Sequence, residues 1–346
     1  MRFLPLIIST LLFGQNWTDY LNSPIKWTVG LTNGYDNNVL RLSDVEKKDS
    51  VLDQDIMGGS GTFDSHYARF SLSGLQKIQL SDRKKQIQLY AKGNVSNYSQ
   101  NDNRRYWSGN LKASYRWGSY RKLEYSIRHL DSYYIRHYID RDISSDQSAS
   151  CNFTDREQRL LASYPLQRRL WTTGFVSYTQ RYFDKPFTEF DLDIVTTSLK
   201  VSKKIRGIGT IALEGKYGRA ENITFGKTSK ASDLDRSYKH FEWYIPFSYS
   251  QGLGVLDETG ISFRRDVRQY KAEAMNDPLH SGRSHEEVKW DIWGVKDLSE
   301  NITLKASLRY RKRTTDSQFD WVSELKTFDQ VQAWVTIEWD MIYDRY

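Results

Sequence analysis

The sequence predicts an all-β chain folded as a single transmembrane antiparallel up-and-down β-barrel of about 14 strands, with 12 and 16 as the neighbouring counts. Three observations predict it. Apolar and polar residues alternate with period two along most of the chain. The alternating runs are long, often about 11 to 15 residues, where ordinary strands have about five or six. The connections between them alternate short and long. A strand shows its two faces to opposite sides, and a tilted strand that crosses a bilayer needs about nine to eleven residues. An apolar face of that length suits lipid. No water reaches backbone amides there, so the sheet must close on itself.

Residues 1–15 read as an export signal. Met1-Arg2 precedes the apolar stretch Phe3 to Phe13, which is too short to span a bilayer. Residues 16–25 form a lead-in, and 26–346 the barrel. Strands are predicted at 26–35, 62–79, 85–97, 105–117, 120–131, 155–164, 169–182, 191–203, 208–219, 236–249, 254–269, 285–295, 301–313 and 327–343. The pattern is clearest where Ile87, Leu89, Ala91, Gly93 and Val95 alternate with Gln88, Tyr90, Lys92 and Asn94. It recurs from Trp107 to Trp117, from Ile302 to Tyr310 and from Val331 to Trp339, where Trp334 interrupts the polar face. Short connections fall at 80–84, 118–119, 165–168, 204–207, 250–253 and 296–300. Long ones fall at 36–61, 98–104, 132–154, 183–190, 220–235, 270–284 and 314–326. Short turns on one rim and long loops on the other are the barrel signature. Tyr and Trp fall near run ends, with Trp107, Trp117, Tyr217, Trp243, Tyr249, Trp339 and Tyr343 as girdle candidates. An amphipathic ring suits the boundary between lipid and water.

Composition narrows the alternatives. One Cys cannot form a disulfide within its own chain. No apolar run of about 18 residues offers a helical span, and an aromatic content of 14% argues against disorder. A β-propeller would share the spacing of turns, but its blades hold four short strands, and no Gly-His or Trp-Asp signature repeats.

The segment Trp27 to Ser43 contains Gly34-Tyr35-Asp36-Asn37-Asn38-Val39. It resembles the opening strand of Gram-negative outer-membrane β-barrel proteins, porin-like or surface barrels, which carry a Gly-Tyr-Asp-x-Asn-Val-like motif. The terminal Tyr346 is similar to the closing aromatic of such chains, although it departs from the parity of Val335, Ile337, Trp339, Met341 and Tyr343. The resemblance implies an outer-membrane location, contact with its lipid and lipopolysaccharide, and handling by the barrel-assembly machinery.

Side chains fill an eight-strand barrel, and a fourteen-strand one is wider, so it has space for water or for an inward-folded loop. On the clearer strands the inward cations are Lys92, Lys112, Arg116, Lys122, Arg128, Lys216, Lys289, Lys305, Arg309 and Arg311. The inward acids are Glu124, Glu214, Glu242, Glu287, Asp291, Glu338 and Asp340. The excess of cations, in a chain of formal charge +7, points to a passive channel for small hydrophilic solutes, anionic by preference. The competing reading of these charges, and the one preferred for them, is a mutually paired ladder that braces a narrow lumen. A structural or surface-binding barrel without flux is the alternative function.

An outer-membrane hydrolase is a further alternative. It would need a Ser, His and acid set at a rim, and only His280-Ser281-Gly282-Arg283-Ser284-His285 groups the types, in a predicted loop. The chain therefore reads as a non-enzyme without cofactor. Asp53 with Asp55, and Asp140 with Asp142 and Asp146, lack an EF-hand spacing and read as ordinary acidic loops. Nucleic acid is not expected, because the cations are spread over alternating faces. Cys151, in the predicted loop 132–154, reads as a free surface thiol.

Overall fold

Period-two alternation becomes strand in fourteen places. These are β1 (Ile25–Asp36), β2 (Ser65–Gln79), β3 (Gln86–Tyr98), β4 (Tyr106–Arg116), β5 (Lys122–Ile139), β6 (Ser148–Gln167) and β7 (Leu170–Phe183). They continue as β8 (Leu192–Ile205), β9 (Gly209–Asn222), β10 (Tyr238–Tyr249), β11 (Glu258–Tyr270), β12 (Ser284–Asp297), β13 (Ile302–Asp316) and β14 (Phe328–Tyr343). Two short helices sit in long connections, α1 (Asp44–Asp49) and α2 (Asp320–Lys326). The computed structural model describes residues 23–343 other than 50–53, 81–83, 141, 144–146, 228–229, 231 and 274–276. The predicted export signal therefore lies outside the described residues, as do Asp53, Asp146 and Tyr346.

Each strand pairs antiparallel with its neighbours in sequence, and β14 returns to β1 to close the barrel. The seam runs in register from Ile25 opposite Tyr343 to Asp36 opposite Gln332. Closure leaves no free edge, which is the condition for a sheet in hydrocarbon.

Burial is inverted relative to a water-soluble sheet. Leu111 and Leu199 are about three-fifths exposed, at 59% and 61%, while Glu214, Asp266, Glu287 and Arg311 are buried. On β13 the outward face reads Ile302, Leu304, Ala306, Leu308 and Tyr310, then Lys312. At a rise of about 3.4 Å per residue and a tilt of about 40°, that apolar stretch is just over 20 Å tall, close to a bilayer's hydrocarbon band. Beyond it the strands rise into water. Arg265 and Glu286, both facing outward, form an ion pair of 2.8 Å there.

The predicted loop 132–154 is mostly strand. β5 continues to Ile139 and β6 begins at Ser148, and the two form the tallest part of the wall. The pairing slips between Leu130 and Tyr133 and again between Tyr134 and Arg136, and Ser132 takes a φ of 40°. Each bulge shifts the inward parity, so the alternation that marks the other strands is lost here. Cys151 consequently is not a surface thiol. It lies on β6 opposite Arg136 and is fully buried.

The described residues of the first outer loop, 37–49 and 54–64, fold into the mouth of the barrel. Val39 packs on the inward rings of Tyr67 and Tyr98, with Tyr106 and Trp334 beside them. Leu40 and Leu42 bury against Met57 and Tyr134. A capping box starts α1: Ser43 Oγ accepts the Glu46 amide at 3.2 Å, and Glu46 Oε2 accepts the Ser43 amide at 2.9 Å. Glu46 also takes the Arg136 guanidinium, at 2.8 and 2.9 Å.

Candidate functional site

The site is the inner wall and outer mouth of the barrel. Strand alternation aims every second side chain inward, and the closed register sets which of them meet. Lys122 reaches Glu124 at 3.0 Å, Lys305 reaches Glu338 at 2.6 Å, and Arg309 reaches Asp291 at 2.5 Å. Lys216 sits between Glu242 at 2.7 Å and Glu214 at 3.6 Å. Glu287 is shared by Arg311 at 2.5 Å, Lys289 at 2.8 Å and Arg313 at 2.9 Å. Asp340 takes Lys26 at 2.7 Å, and Arg128 lies 3.4 Å from Glu157. Each of the seven inward acids read from the sequence thus has a cation beside it. Where water reaches such a pair it contributes about 1 kcal/mol or less to stability. The main effect of the ladder is to neutralise the carboxylates.

Three inward cations are not drawn into it. Among the described residues Lys92, Lys112 and Arg116, on the adjoining strands β3 and β4, have no carboxylate at ion-pair distance. Lys112 instead lies over the Tyr90 ring at 5.2 Å. Arg69 of β2 joins them and donates from Nε to Ser96 Oγ at 3.0 Å. The β2–β4 wall is therefore a positive strip among Ser, Asn and Tyr side chains.

Sequence reading missed Arg69, Asp155, Glu157, Arg159, Arg181, Arg264, Asp266, Arg268 and Arg313, all on the inner wall. Arg181 grips Asp155 at 2.8 Å, and Arg268 grips Asp266 at 3.1 Å. The period-two triplet Arg264, Asp266, Arg268 carried a signal that could have found that group.

The girdle candidates Trp107, Tyr217, Trp243 and Trp339 are 40% to 52% exposed on the outward face. Trp117 follows β4 and stacks on Tyr115 at 5.4 Å, and Tyr249 ends β10. Tyr217 and Trp243 stand in mid-strand; the next outward position beyond Tyr217 is Arg219, while beyond Trp243 come Phe241 and then Lys239. Tyr217 and its cross-strand partner Phe241 mark the edge of the apolar face because the strands overrun it. The side chain of Tyr343 lies outside what is described.

Above the ladder a cavity of about 580 Å³ opens among the loops. Six cations line it: Arg41, Arg136, Arg236, Arg283, Arg313 and Lys326. Two carboxylates do so, Glu46 and Asp49. Burial, then the charge of Arg136, pushes the Lys326 ammonium down to about 7. Burial also pushes Arg236 down to about 10. It pushes His280 down to about 4, against the pull of Asp277.

The His/Ser cluster is dispersed. His280 Nδ1 shares a hydrogen bond of 2.9 Å with Asp277, and His285 Nδ1 one of 2.8 Å with Thr315 Oγ1. His285 is buried on the inner face of β12, and strand alternation aims Ser284 to the other side. Asp142, one of the acidic-loop residues, is taken up by Lys230 at 2.9 Å and by Ser232. No group of three or more potential metal ligands occurs among the described residues.

No protein-family model matches the chain. No curated protein sequence matches it either. Among solved structures it is similar to a bacterial polysaccharide outer membrane secretin, at 10% identity over 92% of this chain and 99% of that one, with a TM-score of 0.47. It is similar to an anion-selective porin from Comamonas acidovorans, at 10% identity over 92% and 98%, with a TM-score of 0.42. OprD of Pseudomonas aeruginosa compares at 10% identity over 92% and 95%, with a TM-score of 0.41. The closed antiparallel barrel with its outward apolar band is itself the outer-membrane β-barrel architecture of Gram-negative type.

Proposed function

We propose that the barrel is a passive channel for small hydrophilic solutes, with anions preferred over cations. The observation that carries this reading is the imbalance of the inner wall. The inward carboxylates read from the sequence stand beside cations, whereas Lys92, Lys112 and Arg116 stand together with no carboxylate partner among the described residues. A low-dielectric wall concentrates the field of such a strip into the lumen and raises the local concentration of the opposite charge. The outward band meets outer-membrane lipid and lipopolysaccharide on the same reading.

Planar-bilayer recording tests it. Folded protein should give discrete current steps, and a salt gradient should give a reversal potential on the anion side. Changing Lys92, Lys112 and Arg116 together to Gln should move that potential toward zero or past it. Cation preference in the wild type, or a reversal potential that the triple change leaves in place, would remove the charge argument. Absence of any current from folded protein would leave a barrel without flux.

A further inference from the structure

We propose that the chamber at the outer mouth binds a small organic anion built on a flat apolar ring, an aromatic carboxylate in chemical class. The inference deepens the channel reading by naming a solute class, and it rests on that reading for what happens to the solute after binding.

Charge comes first. Arg136 and Arg313 are held by Glu46 and Glu287. The other four cations of the chamber, Arg41, Arg236, Arg283 and Lys326, have no carboxylate partner among the described residues. They come from four different outer connections, so the chain converges on this point from four directions. Arg283 is 5% exposed, and its Nε is buried without an acceptor. Arg41 Nε is in the same condition. Cationic groups that line a chamber with no carboxylate beside them are matched by a carboxylate that enters it, through charge-assisted bonds.

The rings set the rest of the chemistry. Arg283 lies over Tyr270 at 3.9 Å, Arg236 over Phe190 at 3.6 Å and Lys326 over Tyr138 at 5.7 Å. Each unpaired cation outside the first loop is thus backed by an aromatic face, and Phe183, Phe187 and Trp321 add further apolar wall. A chamber of about 580 Å³ is in the size range of small-molecule pockets and far exceeds one inorganic ion. An ion such as phosphate would leave the rings wet. A neutral ring would leave the guanidinium donors unmatched. A planar carboxylate with a ring satisfies both.

Isothermal titration calorimetry on the full-length barrel, folded in detergent at pH 6.5, decides the matter with four probes: benzoate, benzamide, acetate and inorganic phosphate. Benzoate should bind, and the other three should bind about tenfold more weakly or worse. Arg283→Gln and Arg236→Gln should each weaken benzoate about tenfold, whereas Arg206→Gln, on a turn at the opposite rim, should not. Retained heat-modifiable migration on gels shows that each variant is folded. Equal binding of benzamide, acetate or phosphate overturns the proposal, as does failure of benzoate to bind or indifference to both arginine changes. The readout is independent of conduction. Anion-selective current without benzoate binding sinks this proposal alone, and benzoate binding without current sinks the channel alone.

Discussion

Lys326 is the residue at which the electrostatics of the outer mouth can be read most directly. Its ammonium ends α2 amid the charges of Arg136, Arg283 and Arg313, with Glu46 as the opposing carboxylate. Burial and those guanidinium groups outweigh Glu46, so the group titrates near 7 in the folded barrel, against an ordinary value of 10.5. The sign for stability follows from linkage. Below about pH 7 both folded and unfolded chains hold the proton, and the folded barrel carries the full cost of a buried charge. Between about 7 and 10.5 only the unfolded chain still holds it, so folding gains stability as the pH rises through that window. Lys326→Met should therefore stabilise the barrel most at pH 6 and least at pH 9. Thermal unfolding of wild type and variant at both values checks this, and a difference that does not depend on pH would show that the proton is not the cause. In the folded barrel the same titration lowers the positive charge of the mouth above neutrality.

At the scale of elements, the outer end of the seam explains the motif that opens the barrel. Asp36 accepts the Gln330 amide at 2.8 and 2.9 Å and the Gln332 amide at 2.7 Å. Asn38 donates to the carbonyls of Leu42 and Asp329, both at 2.9 Å, and accepts the Leu42 amide at 2.8 Å. Gly34 leaves space that a Cβ would contest with the Tyr67 ring at 2.6 Å. The clasp ties β1 to β14 and turns the first loop inward, with Arg41 held at a φ of 56°, in a region costly for a side chain. Asn38→Ala strands three backbone partners, the two on Leu42 buried, and should cost about 1–3 kcal/mol in urea unfolding, and wild-type stability in that variant would make the clasp incidental. The motif was visible in the sequence as a resemblance, but its role was not, because its partners Gln330 and Gln332 lie at the other end of the chain. Strand number and order were legible for a simple reason: each wall strand has lipid on one face and polar lumen on the other, so period two persists. Three kinds of feature escaped that signal. Bulges erased it in the β5–β6 extension. The helices α1 and α2 are too short to show a 3.6-residue period. The chamber cations Arg41, Arg236, Arg283 and Lys326 lie in connections, where parity carries no information and only the fold brings them together.

For the whole molecule, the decisive relation is between a wide barrel and the loop folded into it. Fourteen strands enclose more space than their own inward side chains fill, and the first loop occupies part of it from the outer end. What holds that loop bears on how much current the proposed channel would pass. α1 has six residues, too few to be stable alone. Its capping box closes only its own first turn. The apolar contacts of Leu40 and Leu42 anchor the segment before it. The buried tie from the helix to the wall is Glu46 to Arg136, two hydrogen bonds of 2.8 and 2.9 Å, and a more exposed Lys47–Asp329 pair of 3.5 Å adds to it. Removing one partner of a buried pair costs more than the pair is worth, because the other charge is left without compensation. Glu46→Ala leaves Arg136 buried without a carboxylate, over the Tyr138 ring at 5.3 Å, and departure of α1 with entry of water is the expected relief. Single-channel conductance should therefore rise in Glu46→Ala, with more current noise as the loop moves, while the anion preference proposed for Lys92, Lys112 and Arg116 deeper in the lumen should stay as it is. Arg136→Ala should raise conductance in the same way. If both variants fold and conduct like the wild type, the permeation path runs beside the first loop and not through the space it occupies.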